Sequence, residues 1–233
     1  MKAQGLPTPS RIVYSVGELW RQEPLVAGVV VVLPALVALD RPFSELASPS
    51  PVGDIVLNVA RFYGERWTPV ALATGFYLVG WILDDTLIRR TGITIGGATL
   101  LTAIAVTGIK IGVGRVRPAV NPNSLVLRPL GWQDAHQSFP SGHAAVAFML
   151  SASLVQSLEL PPVVAAALYG TATTTALTRL YRRRHWFSDV VAGALIGYIA
   201  GRAVADALHR KQQRAGRWEL VPVAGGVGVC VYR

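Results

Sequence analysis

The chain has 233 residues, of which 52% are hydrophobic and 15% are charged. Soluble domains carry about a quarter charged residues, so this composition argues against an ordinary soluble protein and indicates an integral membrane protein. The net charge of +9 comes from basic residues that lie between apolar segments, without a basic face interleaved with aromatics. We therefore expect the bilayer and its anionic lipids as partners, and no nucleic acid. The single cysteine, Cys230, excludes an intramolecular disulfide and a cysteine metal cluster.

Six apolar segments approach or reach the length needed to cross a hydrocarbon core about 30 Å thick. A secretory signal peptide is the alternative for the first, but 23 residues precede it and no convincing cleavage site ends it. We predict an all-α integral membrane protein with six transmembrane helices in one bundle. The predicted spans are residues 24–39, 67–83, 93–113, 143–160, 162–180 and 187–207.

The spans divide the chain into three regions. Residues 1–23 are predicted to form an interfacial segment, residues 24–207 the six-span domain, and residues 208–233 a basic tail that ends in a short hairpin-like pattern. Two long loops, 40–66 and 114–142, interrupt the spans, and loops of that length are uncommon unless they are functional or disordered.

The sixth span carries a regular glycine pattern. Gly193, Gly197 and Gly201 lie at four-residue spacing. Glycines so spaced form a groove on one helix face, which a neighbouring backbone can approach closely in lipid. We expect this groove to have a structural role in helix packing.

Ionisable side chains in or beside an apolar span are costly, so each one is a candidate for function. They fall in three clusters, 110-KIGVGRVRP-118, 140-PSGH-143 and 178-TRLYRRRHWFSD-189. Mg²⁺ and Ca²⁺ need several oxygen ligands, and Zn²⁺ would need a further His or Cys. We therefore expect no metal and no other cofactor. Cations at Lys110, Arg117 and Arg179 suit metal-free phosphoryl transfer.

The second cluster opens an apolar helix with Pro-Ser-Gly-His. The first turn of a helix has unpaired N–H groups and a partial positive charge, so it binds anions such as phosphate. Ser141 suits the N-cap position, and Gly142 allows a ligand to approach the backbone. His143 adds an imidazole that titrates near neutral pH. The alternative is an ordinary capped helix with a histidine at the membrane interface.

In the third cluster His185 and Asp189 are four residues apart, so they share a face if the segment is helical. A carboxylate that holds one imidazole nitrogen fixes the tautomer and leaves the other nitrogen free to attack. An ion pair at a helix end is the alternative interpretation. The neighbouring Arg182, Arg183 and Arg184 are predicted to form a solvated basic collar.

In chain order, K-x6-R-P, P-S-G-H and R-x5-H-x3-D resemble the three-part signature of the type 2 phosphatidic acid phosphatase superfamily, in particular its six-span bacterial lipid phosphatases. The resemblance covers residues 110–189 directly. Thr178 stands where the family usually has Ser before the arginine, so a hydroxyl is retained.

The resemblance implies a role for each matching residue. His185 would be the nucleophile that forms a phosphohistidine intermediate, and Asp189 would orient it. His143 would protonate the leaving oxygen and then activate water. The residues that would hold the phosphate oxygens are Lys110, Arg117, Ser141, Gly142 and Arg179.

Six spans place both termini on one side of the membrane and the three clusters together at the other end of the bundle. The 22 Lys and Arg residues divide evenly between the two sides. Setting aside Lys110, Arg117 and Arg179, which the chemistry explains, leaves an excess on the terminal side. The positive-inside rule then places the termini in the cytoplasm and the active site on the extracytoplasmic side of the cell (inner) membrane.

The resemblance implies a phosphoric ester or diphosphate hydrolase that acts on a lipid. Undecaprenyl pyrophosphate, phosphatidylglycerol phosphate and phosphatidic acid represent the expected substrate class. A lipid phosphotransferase would use the same residues with an alcohol as acceptor. A vanadate-binding haloperoxidase-like protein and a non-catalytic lipid-binding protein are further alternatives, although the former are soluble and the latter would not need both histidines and the aspartate.

Overall fold

The computed structural model describes residues 32, 35–45, 60–214, 217–223 and 226–232, with side chains as far as residue 210. A short 3₁₀ turn, Asp134–His136, lies in the long loop between the third and fourth helices. The main elements are α1 (Asp40–Glu45), α2 (Trp67–Ile82), α3 (Thr86–Val113), α4 (Gly142–Ser157), α5 (Pro162–Tyr181), α6 (Phe187–Arg214), β1 (Arg217–Val223) and β2 (Gly226–Tyr232).

Five of the predicted spans coincide with α2 to α6, so the helical fold is confirmed. The first span, 24–39, lies mostly outside the described residues, and the interfacial segment 1–23 lies entirely outside them. By length and composition, Thr86–Val113 and Phe187–Arg210 are long and apolar enough to cross a membrane, and α2 is apolar but shorter. The count of six spans therefore stays a prediction.

The helix α4 lies in a central position in the bundle, so it can carry buried polar side chains. It packs against α3, α5 and α6. Its Met149 and Leu150 form a core with Ile95 and Ala98 of α3. Because α4 is surrounded by protein, it can bury serines such as Ser151, whose hydroxyl donates to the Leu168 carbonyl at 3.0 Å. The exposed large apolar side chains lie instead largely on α2 and α3, among them Leu78, Trp81, Leu100 and Ile104.

The glycines of α6 face the backbone of α4. A Cβ added at Gly193 would lie 2.3 Å from the Ser141 carbonyl oxygen, and one at Gly197 would lie 1.9 Å from that of Ala145. Neither position has room for a side chain unless the helices move apart. The predicted glycine groove is therefore confirmed, and α4 is the helix that it receives.

The C-terminal tail forms an antiparallel hairpin in which Arg217 pairs with Tyr232 and Val223 with Gly226. The hairpin-like pattern in the sequence is confirmed. The prediction of an all-α protein is corrected to this extent, because two strands follow the helical domain. The helix before them also continues to Arg214, beyond the predicted end of the last span at residue 207.

The helix directions bring the three sequence clusters to one end of the bundle. Lys110 lies in the last turn of α3, and Gly142 begins α4. Arg179 lies in the last turn of α5, and Asp189 lies in the first turn of α6. Four helix ends therefore meet where the site is expected.

Candidate active site

A cavity of about 550 Å³ opens at this end of the bundle. Two of the predicted site residues, Ser141 and Asp189, do not line it and are fully buried. The Ser141 N–H donates to the Asp189 carbonyl oxygen at 2.9 Å, which joins the start of α4 to the first turn of α6. The other six predicted residues line the cavity, namely Lys110, Arg117, Gly142, His143, Arg179 and His185.

A backbone carbonyl fixes the tautomer of His185. Its Nδ1 lies 2.6 Å from the Ser138 carbonyl oxygen. A carbonyl only accepts hydrogen bonds, so Nδ1 carries the proton and Nε2 keeps its lone pair. Burial lowers the pKa of His185 to about 4, with the nearby Asp189 carboxylate opposing the shift. The ring is therefore neutral at pH 7, which is the form that a nucleophile requires.

Asp189 holds His185 in a different way from the one expected. His185 lies before α6, and its Nδ1 is 3.7 Å from Asp189 Oδ2, beyond hydrogen-bond distance. The same oxygen accepts from Ser138 Oγ at 2.5 Å and from the Trp186 N–H at 2.9 Å. The carboxylate thus fixes the residues on either side of the imidazole and orients the ring through the Ser138 backbone.

A buried ion network supports Asp189. Arg115 Nη1 donates to Asp189 Oδ1 at 2.6 Å, and Arg115 Nη2 donates to Asp40 Oδ2 at 2.6 Å. Asp40 Oδ1 also accepts from the Ser188 N–H at 2.8 Å. Two carboxylates therefore flank one guanidinium away from solvent, where each charge needs its partners.

Arg115 and Asp40 are not among the site residues predicted from the sequence. Arg115 lies inside the first cluster, between two predicted phosphate-binding residues. Asp40 directly follows the first predicted span, so it is an ionisable residue at a membrane boundary. The cost of placing an ionisable residue in or beside an apolar span was the sequence signal that could have identified both residues.

His143 meets a carboxylate from a different part of the chain. Its Nε2 lies 3.4 Å from Glu65 Oε1, and the same oxygen lies 3.2 Å from Arg61 Nε. Glu65 lines the cavity beside His143. This contact was not predictable from the sequence, because Glu65 belongs to the long predicted loop, 40–66, in which no motif is visible.

The three predicted phosphate-binding cations differ in how many of their hydrogen bonds are already made within the protein. Lys110 Nζ donates to the Gln137 carbonyl oxygen at 2.5 Å. Arg117 donates to Asp134 twice, from Nε to the carbonyl oxygen at 2.8 Å and from Nη2 to Oδ1 at 2.6 Å. Arg179 is also buried, yet its Nε has no hydrogen-bond partner among the residues that the structure describes. Arg179 is therefore the cation whose bonding is most clearly left for a ligand.

Ser141 occupies the N-cap position of α4, but its hydroxyl makes no cap hydrogen bond, contrary to the expected capping role. Its Oγ is buried without a hydrogen-bond partner in the described part of the chain. Leaving a buried polar atom unsatisfied costs about 1–3 kcal/mol. Arg179 Nε and the N-terminus of α4, where Gly142 lines the cavity, are donors that fit an anion.

The groups around the cavity suit an anion better than a metal. Lys110, Arg117 and Arg179 all present donors rather than the oxygen ligands that a divalent cation prefers. In the part of the chain that the structure describes, no group of three or more His, Cys, Asp or Glu side chains is placed to hold a metal ion. The expectation of a metal-free reaction stays a prediction for experiment.

Fold and site together define a helical protein that gathers two histidines, buried cations and a helix N-terminus around one anion cavity. The PAP2 superfamily matches residues 91–213, just over half of the chain. The chain belongs to the PAP2 superfamily, which confirms the resemblance seen in the three sequence clusters.

A curated relative is the lipid A 1-phosphatase of Porphyromonas gingivalis, which is 38% identical over 88 residues. That match covers 36% of this chain and 19% of the relative, so it spans less than a fifth of that protein. Two solved structures share the fold. Aquifex aeolicus LpxE has a TM-score of 0.54 at 23% identity, covering 72% of this chain and 93% of that one. A PAP2-type phosphatidylglycerolphosphate phosphatase from Bacillus subtilis has a TM-score of 0.57 at 20% identity, covering 79% and 96%.

Proposed function

We propose that this protein is a membrane lipid phosphatase, a phosphoric ester hydrolase that acts on a lipid phosphate or pyrophosphate through a phosphohistidine on His185. The observation that carries the proposal is the fixed tautomer of His185. The Ser138 carbonyl holds its Nδ1–H, so the unprotonated Nε2 is available on a ring that borders the anion cavity. Membership of the PAP2 superfamily supports the same reaction class.

In the first step the phosphate group binds among the donors of the cavity. Lys110, Arg117 and Arg179 neutralise its charge, and the Ser141 hydroxyl and the N–H groups at the start of α4 bind its oxygens. His185 Nε2 attacks phosphorus, and the bond from phosphorus to the leaving oxygen breaks. His143 gives its proton to that oxygen, so the lipid alcohol or lipid monophosphate leaves with that oxygen protonated.

In the second step water hydrolyses the phosphohistidine. Neutral His143 takes a proton from the attacking water, the P–N bond breaks, and inorganic phosphate forms. His185 returns to its starting tautomer, held again by the Ser138 carbonyl. The buried carboxylate of Asp189 stabilises the positive charge that the imidazole carries while it is phosphorylated.

The names of the relatives guide the choice of substrates. They comprise a lipid A 1-phosphatase and a phosphatidylglycerolphosphate phosphatase, so lipid A 1-phosphate and phosphatidylglycerol phosphate join undecaprenyl pyrophosphate and phosphatidic acid as candidates. All four carry a phosphate at the end of a hydrophobic lipid. The exposed apolar faces of α2 and α3 suit a protein that takes such substrates from the bilayer.

Purified protein in detergent tests the proposal by phosphate release from these four lipids. We expect release from at least one of them, unchanged activity in EDTA, and inhibition by vanadate, which resembles the five-coordinate phosphorus of the transition state. His209→Ala is the matched control for His185→Ala, since His209 lies near the far end of α6. Loss of activity on chelation that Mg²⁺ restores would overturn the metal-free mechanism.

Two further measurements separate the alternatives. Adding an alcohol acceptor and following lipid products distinguishes a phosphotransferase, which forms a new phosphoester, from a hydrolase, which forms inorganic phosphate. Single cysteines in the 114–142 loop, introduced with Cys230 replaced, should react with an impermeant reagent from outside intact cells. Reaction only after permeabilisation would place the active site on the cytoplasmic side.

A further inference from the structure

The loop before α2 is attached to the catalytic helices at three points. Thr175 Oγ1 of α5 donates to the Ala60 carbonyl oxygen at 2.7 Å. The Tyr63 hydroxyl lies 3.0 Å from Ser151 Oγ of α4. Gly64 approaches the first turn of α4 so closely that an added Cβ would lie 2.8 Å from the His143 carbonyl oxygen. Residues 60–64 are therefore held against the start of α4, and Glu65 follows directly.

These contacts place one carboxylate beside the imidazole of His143. Glu65 Oε1 lies 3.4 Å from His143 Nε2, and Glu65 is about one-third exposed. Arg61 Nε lies 3.2 Å from the same oxygen, which keeps the carboxylate in place without taking it away from His143. Among the described residues, Glu65 is the carboxylate within ion-pair distance of His143.

The rest of the cavity works against a charged His143. A proton donor for the leaving oxygen must be an imidazolium when the substrate binds, yet burial and nearby cations disfavour that form. The other charged or titratable groups that face the cavity or contact Glu65 are Arg61, Arg66, Lys110, Arg117, Asp134, Arg179, Arg184 and His185. Asp134 is the other carboxylate of this set, and it pairs with Arg117 at 2.6 Å.

We infer that Glu65 is the positioning residue of the acid side of the site, the counter-ion that favours the protonated form of His143, from which the proton passes to the leaving oxygen. The inference rests on the proposed function, because it assigns Glu65 a part in the same reaction. When His143 gives up its proton the ion pair with Glu65 is lost, and the proton taken later from water restores it. None of the three sequence clusters includes this residue.

Glu65→Gln tests the inference, because it removes the charge and keeps the shape. We expect the basic limb of the pH–rate profile to move to lower pH by roughly one unit, as for a histidine that loses an adjacent opposite charge. At pH 7.5 the rate on a lipid monophosphate should fall about tenfold, while the rate on a lipid diphosphate falls less, since its leaving group needs the proton less. Glu159→Gln, an exposed acid beyond the far end of α4, is the matched control.

A double variant separates a role through His143 from a merely structural role. In the His143→Ala background, Glu65→Gln should cause no further loss, because the group on which it acts is gone. An equal loss in both backgrounds, or a wild-type pH profile in Glu65→Gln, would overturn the inference.

A measurement that needs no substrate tests this inference separately from the proposed function. In protein labelled at histidine with ¹⁵N, the His143 resonances should titrate at lower pH in Glu65→Gln than in the wild type. Wild-type protein that releases no phosphate from any lipid would contradict the proposed function, and the titration would still decide whether Glu65 supports the charge on His143.

Discussion

The two histidines of the site have different surroundings. On the side of His185, hydrogen bonds are nearly complete: Ser138 holds the ring, and Asp189 is held in turn by Arg115. On the side of His143, the bonding is looser, since the ion pair with Glu65 is 3.4 Å long. The buried Ser141 hydroxyl on this side has no hydrogen-bond partner within the described ranges of the chain.

In the proposed mechanism, this difference corresponds to a division of roles between the two sides of the site. The nucleophile must be in the correct tautomer before the substrate arrives, so the protein itself satisfies and orients it. The acid and the phosphate-binding donors must instead bind groups that the substrate brings, so their hydrogen-bonding capacity is left open. Replacing residues on the two sides should therefore have different consequences for stability and for rate.

The largest expected effect is that of His185→Ala. No other nucleophile in the three clusters can replace His185 in the proposed mechanism, so turnover should be abolished for every lipid in the panel. Phosphate release and trapping of a ³²P-labelled protein intermediate measure the effect. A variant that keeps substantial activity would mean that the nucleophile lies elsewhere.

His143→Ala should act selectively. General acid catalysis is typically worth about 10² to 10⁴ in rate, and a lipid alkoxide leaving from a monoester needs it most. A diphosphate expels a lipid monophosphate of much lower basicity, so the ratio of diphosphate to monoester activity should rise. Initial rates on a lipid diphosphate and its monophosphate give this ratio, and an unchanged ratio would argue that His143 is not the acid.

Paired arginine variants should separate stability from activity. Arg115→Met leaves Asp40 and Asp189 as uncompensated buried carboxylates, and breaking such a pair costs about 3–5 kcal/mol of the free energy of unfolding. Arg179→Met removes a buried cation with an unpartnered nitrogen, so it should lose phosphate binding while keeping or gaining stability. Thermal unfolding in detergent and the KM for a lipid phosphate test the pair, and equal stability losses would remove the proposed contrast.

The pH dependence of stability gives the smallest expected effect. The pKa of His185 is about 4 in the folded protein because the ring is buried. The unfolded chain, with a pKa of about 6.5 for histidine, binds more protons between these two values, so folding stability falls as the pH drops through that range. The contribution is at most about 1.4 kcal/mol per pH unit. His185→Gln should lose less stability than the wild type over this range, and parallel curves would mean that the ring is not buried and neutral.

The sequence predicted much of the fold because apolar length determines the helices. The predicted spans 67–83 and 162–180 match α2 and α5 to within one residue at each end. The family was also predictable, because the motif residues are close together within each cluster. The residues of the separate clusters surround one cavity because four helix ends meet at one place.

The remaining features depend on contacts that no local pattern encodes. The carbonyl that holds His185 belongs to Ser138, 47 positions away, and backbone carbonyls carry no sequence signal. Ser141 has the type and position of a capping residue, but its hydroxyl makes no cap hydrogen bond, and its backbone packs closely against Gly193 of α6. Glu65 reaches His143 because a distant loop is attached to α4 and α5. Such contacts can be recognised only in the folded chain.

The glycine face of α6 has a mechanical consequence. Backbone contact at Gly193 and Gly197 leaves no layer of side chains that could slide or repack, so α4 and α6 move as one rigid body. That body carries both histidines and the carboxylate beside the nucleophile. We therefore expect any opening for the proposed lipid substrate to involve the other helices or the segment that carries Glu65, while the distance between the rings of His143 and His185 stays constant.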